Sequence, residues 1–257
     1  MTKIDLKPQK SKSSTAKIAP DSVEILGIRL SGSEPVELLK YLASRIAEAK
    51  KTFIVTPNPE FVVYAREHSW FKQILNQADI AIPDGIGLVW ASRFLGRPLP
   101  GRVSGADVVE KILSLANQKA WRIGIMGARR GDVYQRQLLI QKLTEKYPRA
   151  GIFCLEETPD WQKNPPAFGG EIIFACQGMG EQEKWLAANY NQAKAIIFMG
   201  IGGSLDYLTG FVKRAPVWMR RLGLEWLYRL IRQPWRLCRQ LALLKFIWLV
   251  LKEKFAS

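Results

Sequence analysis

One pattern recurs along this chain and narrows its fold more than any other feature. A short apolar run meets a loop rich in Gly, Pro or Asn, and a segment with helical spacing follows. Thr52-Val55 runs into Thr56-Pro57-Asn58-Pro59 and a helix from Glu60. Ala78-Ile82 runs into Pro83-Asp84-Gly85 and a helix over Leu88-Phe94. Trp121-Met126, Glu171-Cys176 and Lys194-Met199 do the same, ending in Gly127-Ala-Arg-Arg-Gly131, Gln177-Gly-Met-Gly180 and Gly200-Ile-Gly-Gly-Ser204. Repeated strand-loop-helix units predict an α/β fold: a mostly parallel, Rossmann-like sheet flanked by helices. The loops of such a sheet gather at the carboxyl ends of its strands, where open α/β sheets place ligands. Asn58, Asp84, Arg129, Gln182 and Gly202 are therefore expected to face a common cleft.

Composition changes at both ends. Residues 1–21 carry Lys3, Lys7, Lys10, Lys12 and Lys17 without an apolar run, and read as a solvated basic tail with no signal peptide. Residues 22–210 form the α/β core. Ser22-Leu30 is expected to be an extended lead-in, Pro35-Lys50 a helix, and Ile152-Gly170 a surface loop with a short strand at its start. Residues 211–257 form a basic helical C-terminal appendage. It holds eleven Lys and Arg against Glu225 and Glu253, and so nine of the chain's net +15, together with Trp218, Trp226, Trp235 and Trp248. Arginines interleaved with tryptophans suit an anionic membrane surface. Packing of the tryptophans on the core is the second reading, and nucleic acid the third. Leu241-Leu251 is too short to span a bilayer, which takes roughly 20 residues.

The chemistry available is limited. Three widely spaced cysteines form neither a metal pattern nor a disulfide framework, which points to a reducing compartment. The one histidine, His68, reads as a surface residue. A His-based zinc site or a Ser-His-Asp triad is disfavoured. The 127–131 and 200–204 loops suit backbone approach to phosphate, and suit tight strand-helix turns equally; neither is a Walker loop. No Asp-x-Asp pair stands ready for a metal-bound nucleotide sugar, so no metal and no cofactor is expected. Asp84, at the end of a strand, can act as a general base, position a hydroxyl, bind a metal or merely cap the next helix. Arg102 can reach an anion, and Ser104 or Gly105 can cap the helix that begins there, with Asp107 in its first turn.

Several segments taken together and in order resemble one family. They are Thr56-Pro-Asn-Pro-Glu60, Ala78-Asp-Ile-Ala-Ile-Pro-Asp-Gly85, Arg102-Val-Ser-Gly-Ala-Asp107, Gln182-Glu183-x-Trp185, Gly200-x-Gly-Gly203 with Asp206, Arg214-Ala-Pro216, Gly223-Leu-Glu-Trp-Leu-Tyr-Arg229 and Pro234-x-Arg236. Over roughly residues 24 to 240 the chain resembles the WecG/TagA/CpsF glycosyltransferases. The resemblance implies inverting, metal-independent transfer of N-acetylmannosamine or a related sugar from a UDP-sugar. The acceptor it implies is a polyprenyl-diphosphate-linked sugar on the inner face of the cytoplasmic membrane, in cell-surface polysaccharide synthesis. The protein would then be cytoplasmic and peripheral, bound to the membrane by its C-terminal appendage, with no nucleic acid partner and a homo-oligomer left open. Carried over by position, Asp84 is the general base. Thr56 and Asn58 line the sugar pocket, and Arg102, Gln182, Gly202 and Gly203 contact the donor. Arg214 and Arg229 meet the diphosphate. Glu181 stands where the family pattern has Lys. It keeps open a second reading, a non-catalytic or donor-altered relative that binds nucleotide or polyprenyl phosphate.

Overall fold

The computed structural model of the chain describes residues 22–32, 34–101, 103–155, 168–234 and 237–256. The N-terminal tail, Arg102, Trp235, Arg236 and most of the Ile152-Gly170 stretch lie outside the described residues.

A six-stranded, all-parallel sheet organises the molecule. Its strands are β3 (Thr52–Val55), β4 (Ile80–Ala81), β5 (Arg122–Met126), β6 (Gly151–Leu155), β7 (Ile172–Ala175) and β8 (Ile197–Gly200). Their order across the sheet is β4-β3-β8-β7-β5-β6. β3, β7 and β8 are buried at every position, as expected of strands covered on both faces. Alternate side chains enter opposite cores. Phe53, Val55, Ile173 and Phe198 join one apolar cluster, and Ile54, Ile172, Phe174 and Met199 join the other.

The expected lead-in is an antiparallel hairpin, β1 (Ser22–Ile25) and β2 (Ile28–Ser31), turned at Leu26-Gly27. Helix α1 (Pro35–Ala47) follows, and α2 (Pro59–Glu67) and α3 (Ser69–Gln77) lie between β3 and β4. His68 sits between these two helices, half-buried and stacked on Tyr64 at 3.9 Å. The expected strand Ala78-Ile82 shortens to Ile80–Ala81. The Ala78 N–H donates to Ile74 in closing α3, and Asp79 turns its carboxylate onto the Phe53 N–H at 2.7 Å. Helices α4 (Ile86–Phe94), α5 (Gly105–Lys119), α6 (Val133–Lys146) and α7 (Glu181–Asn189) complete the layers.

The C-terminal segment divides by packing. After α8 (Ser204–Leu208), α9 (Val217–Arg221) packs on α10 (Glu225–Arg232), which shares a cleft with the loops at the sheet's carboxyl edge, while α11 (Leu237–Ala256) lies against α2. Phe246, Leu249 and Val250 of α11 belong to the same apolar cluster as Phe61 and Val62 of α2. Ion pairs Lys245–Glu67 and Arg97–Glu253 fasten its flanks. The opposite face of α11 leaves Leu241, Leu244, Trp248 and Phe255 exposed. Among the described residues, no helix is long and apolar enough to cross a membrane.

Candidate active site

The loops that leave β3, β4, β7 and β8 converge on one cleft of about 560 Å3. Thr56, Asn58, Asp84, Gln182, Gly202, Gly203 and Arg229 all line it. Its far wall comes from the C-terminal helices, through Glu225, Trp226, Arg229 and Gln233 of α10 and the turn after it, and Leu243 of α11.

Each polar group on the sheet side is held by a neighbour. Thr56 Oγ1 donates to the Gly200 carbonyl at 3.2 Å, which ties the end of β3 to the end of β8. Asn58 is the N-cap of α2, and its Oδ1 accepts from the Phe61 N–H at 3.1 Å. Donation from Nδ2 is what remains to offer a ligand.

Asp84 does not cap the helix that follows it; Gly85 is the N-cap of α4. Instead Asp84 Oδ1 accepts from the Gly105 N–H at 3.1 Å, at the first residue of α5. The backbone places it there, since the Asp84 N–H donates to the Pro57 carbonyl at 2.7 Å and Asp84 bridges to Val103. One carboxylate oxygen is thus fixed at a helix N-terminus, the end that favours negative charge. Ser104 holds the N-cap position of α5 without a capping bond. Its hydroxyl accepts from Arg214 at 3.0 Å instead.

Arg214 is not among the residues lining the cleft; it lies behind the rim. It pairs with Asp107 at 2.6 Å and Glu225 at 3.2 Å, so one guanidinium joins α5 to α10. Arg229 faces the cleft, with its guanidinium carbon 5.0 Å from the Tyr207 ring centroid. Its Nε is buried with no hydrogen-bond partner. Arg129, expected at the cleft, is turned aside. It pairs with Asp206 at 3.0 Å and lies over the Phe211 ring at 4.2 Å. Burial pushes the Asp206 carboxyl above its ordinary range, and the Arg129 guanidinium works against that rise. Glu181 pairs with Arg130 at 2.6 Å, so its negative charge is met by the loop after β5.

Beneath the cleft lies a buried acid that sequence reasoning left without a role. Glu183 is fully buried, and its Oε2 accepts from the Gly180 N–H at 2.7 Å. Its Oε1 accepts from Gln182 Nε2 at 2.6 Å. Gln182 Oε1 in turn accepts from the Gly202 N–H at 3.0 Å. Burial pushes the Glu183 carboxyl up to about 7, although these hydrogen bonds favour the anion. The position beside Gln182 was the available signal. Glu225 and Trp226 stood inside the Gly223-Arg229 motif with no role attached, and Gln233 stood outside it, because only the docking of α10 brings these residues to the cleft.

Two comparisons bear on this geometry. The family model described as glycosyl transferase, WecG/TagA/CpsF family, matches residues 23–257. A Staphylococcus aureus (strain MW2) protein named N-acetylglucosaminyldiphosphoundecaprenol N-acetyl-beta-D-mannosaminyltransferase is 31% identical over 251 residues, 95% of each chain. A Bacillus subtilis (strain 168) protein of the same name is 33% identical over 228 residues, 86% of this chain and 88% of its own.

Proposed function

The chain belongs to the WecG/TagA/CpsF family of glycosyl transferases, and from that premise we propose that it moves N-acetylmannosamine from a UDP-sugar to a polyprenyl-diphosphate-linked N-acetylglucosamine. The relatives' names supply the transferred sugar and the acceptor; UDP as carrier is part of the proposal. The observation that carries it is Asp84, held by the Gly105 N–H in a cleft whose far wall presents Arg229.

In this reading the acceptor hydroxyl attacks the anomeric carbon from the face opposite the leaving group. The new C–O bond forms as the bond to the diphosphate breaks, and Asp84 takes the hydroxyl proton. A single displacement inverts the configuration, so an α-linked donor gives the β-linkage that the relatives' names specify. Negative charge grows on the departing diphosphate. Arg229 neutralises it without a metal, joined by Arg214 once a bound diphosphate competes for it with Asp107 and Glu225. Thr56, Asn58 and Gln182 contact the sugar, while the backbone at Gly202 and Gly203 approaches the donor. Arg102, outside the described residues, is proposed as a donor contact on the resemblance alone.

A lipid-linked acceptor calls for a membrane surface. The exposed Trp218, Leu222, Ile231, Trp248 and Phe255, with the basic residues between them, support peripheral binding through the C-terminal helices; the inner face is proposed on the resemblance alone. The pairing of Glu181 with Arg130 favours an active transferase over a non-catalytic relative, because the reversed charge is neutralised locally.

The test is UDP release from a panel of UDP-sugars, with and without a short polyprenyl-diphosphate-N-acetylglucosamine acceptor. Acceptor-dependent release from UDP-N-acetylmannosamine is expected. UDP binding with no release from any sugar would favour the non-catalytic relative.

A further inference from the structure

We propose that Glu183 is a positioning residue: from outside the cleft it fixes which way the Gln182 amide points and, through that amide, the Gly202 backbone that lines the site. The link to Gly202 stands on geometry alone; the link to donor binding rests on the reading of the cleft given above.

Hydrogen-bond polarity dictates this arrangement. A continuous chain of three bonds runs from the Gly180 N–H to Glu183 Oε2, from Gln182 Nε2 to Glu183 Oε1, and from the Gly202 N–H to Gln182 Oε1. Both ends are backbone N–H groups, which can only donate. A primary amide offers one accepting and one donating end, so two amides in series cannot join two donors. A carboxylate, the form that predominates once pH exceeds about 7, accepts at both ends and resolves the conflict. With Gln at 183, its oxygen would take the Gly180 N–H and its NH2 would turn the Gln182 oxygen toward itself. The Gln182 NH2 would then face the Gly202 N–H, donor against donor.

The pair has no room to adjust. A Cβ on Gly200 would stand 2.8 Å from Gln182 Nε2 and 3.0 Å from Glu183 Oε1, so the two side chains lie flush against the end of β8. Gln182 is only 2% exposed and Glu183 is 0% exposed. Water is therefore a poor substitute partner. The competing account is that Glu183 merely caps the Gly180 N–H at the start of α7, the N3 half of a capping box, since Gly180 has no side chain to supply the other half. A capping box accepts Gln as readily as Glu at this position. The two accounts thus differ on one isosteric change.

The experiment compares full-length wild type with Glu183→Gln. Amide hydrogen exchange is read by NMR at Gly180, Ile201 and Gly202 above pH 7, where Glu183 is the carboxylate, and donor KM and kcat are measured at the same pH with UDP-N-acetylmannosamine. Gly202 should exchange about tenfold faster or more, the scale of one lost hydrogen bond. Gly180 and Ile201, the latter bonded to the Ala175 carbonyl, should keep their protection. Donor KM should rise more than kcat falls. The double variant Gln182→Glu with Glu183→Gln restores the polarity with the charge moved one residue along. It should recover Gly202 protection without recovering donor KM. Unchanged Gly202 exchange in Glu183→Gln overturns the proposal, as does equal loss of protection at all three amides. Faster Gly202 exchange with unaltered KM and kcat overturns the link to the donor site. If wild type turns over no UDP-sugar, the functional reading fails, while the exchange comparison still decides the positioning role.

Discussion

On the sheet side of the cleft, Thr56, Asp84 and Gln182 are each tied to a backbone group of another segment, and Asn58 is tied to the helix it caps. On the helical side, α10 has no buried residue, and Arg229 carries a buried Nε with no partner. Arg214, with Asp107 and Glu225, is one ionic link between α5 and that wall, and Arg220 with Asp107 at 3.8 Å is another. The first wall is preorganised, and stabilises developing charge without moving. The second is joined to α5 through ion pairs and leaves most of its side chains partly exposed. Gly223 is one place where the two walls meet directly, because a side chain there would strike Ile86 Cβ at 2.8 Å.

The contrast can be broken experimentally, beginning with the largest effect. Asp84→Asn should retain the Gly105 bond and the fold, while turnover falls by roughly 10²–10⁴-fold. Undiminished turnover removes Asp84 as the base. Phe246→Ala should cost about 3–5 kcal/mol in a denaturant titration, because that ring is buried between α11 and α2. Trp248→Ala, on the exposed face of the same helix, should change stability by no more than about 0.5 kcal/mol, yet weaken binding to anionic vesicles. Similar stability losses in both variants would end the division of α11 into a core face and a free face. Arg229→Gln should lower kcat by roughly 10²-fold with an unchanged melting midpoint. A large thermal shift instead would place Arg229 among the structural groups.

The smallest effect concerns pH. Burial raises Glu183 in the folded state from 4.5 to about 7, so the native protein binds more protons than the unfolded chain across that window. This group's contribution to stability therefore falls as pH rises from 4.5 to about 7. The melting difference between Glu183→Gln and wild type should move in the variant's favour over that range. A pH-independent difference would mean that the acid titrates at its ordinary value.

Sequence reasoning reached the parallel sheet because buried strands and breaker-rich loops are local signals. Asn58, Asp84, Gln182 and Gly202 were legible for the same reason: each follows a strand, and a parallel sheet brings such positions to one edge. Arg129 shares that placement but is drawn off by Asp206 and Phe211, a competition invisible along the chain. The tail's charge and tryptophans read as one appendage. Its 3.6-residue periodicity does not say which face of α11 meets the core and which stays exposed.

The amino-acid sequence by itself determined the strand-loop-helix repeats, the loops that carry the polar groups and the family, since these depend on residues near one another or in fixed order. Tertiary structure alone decided the rest. It turned Asp84 onto α5 rather than α4, locked Arg214 between two carboxylates, brought α10 over the sheet and enclosed Glu183 beneath Gln182. In each case the deciding contact joins segments far apart in the chain or depends on burial, and hydrogen-bond polarity and desolvation act only once those groups have been brought together.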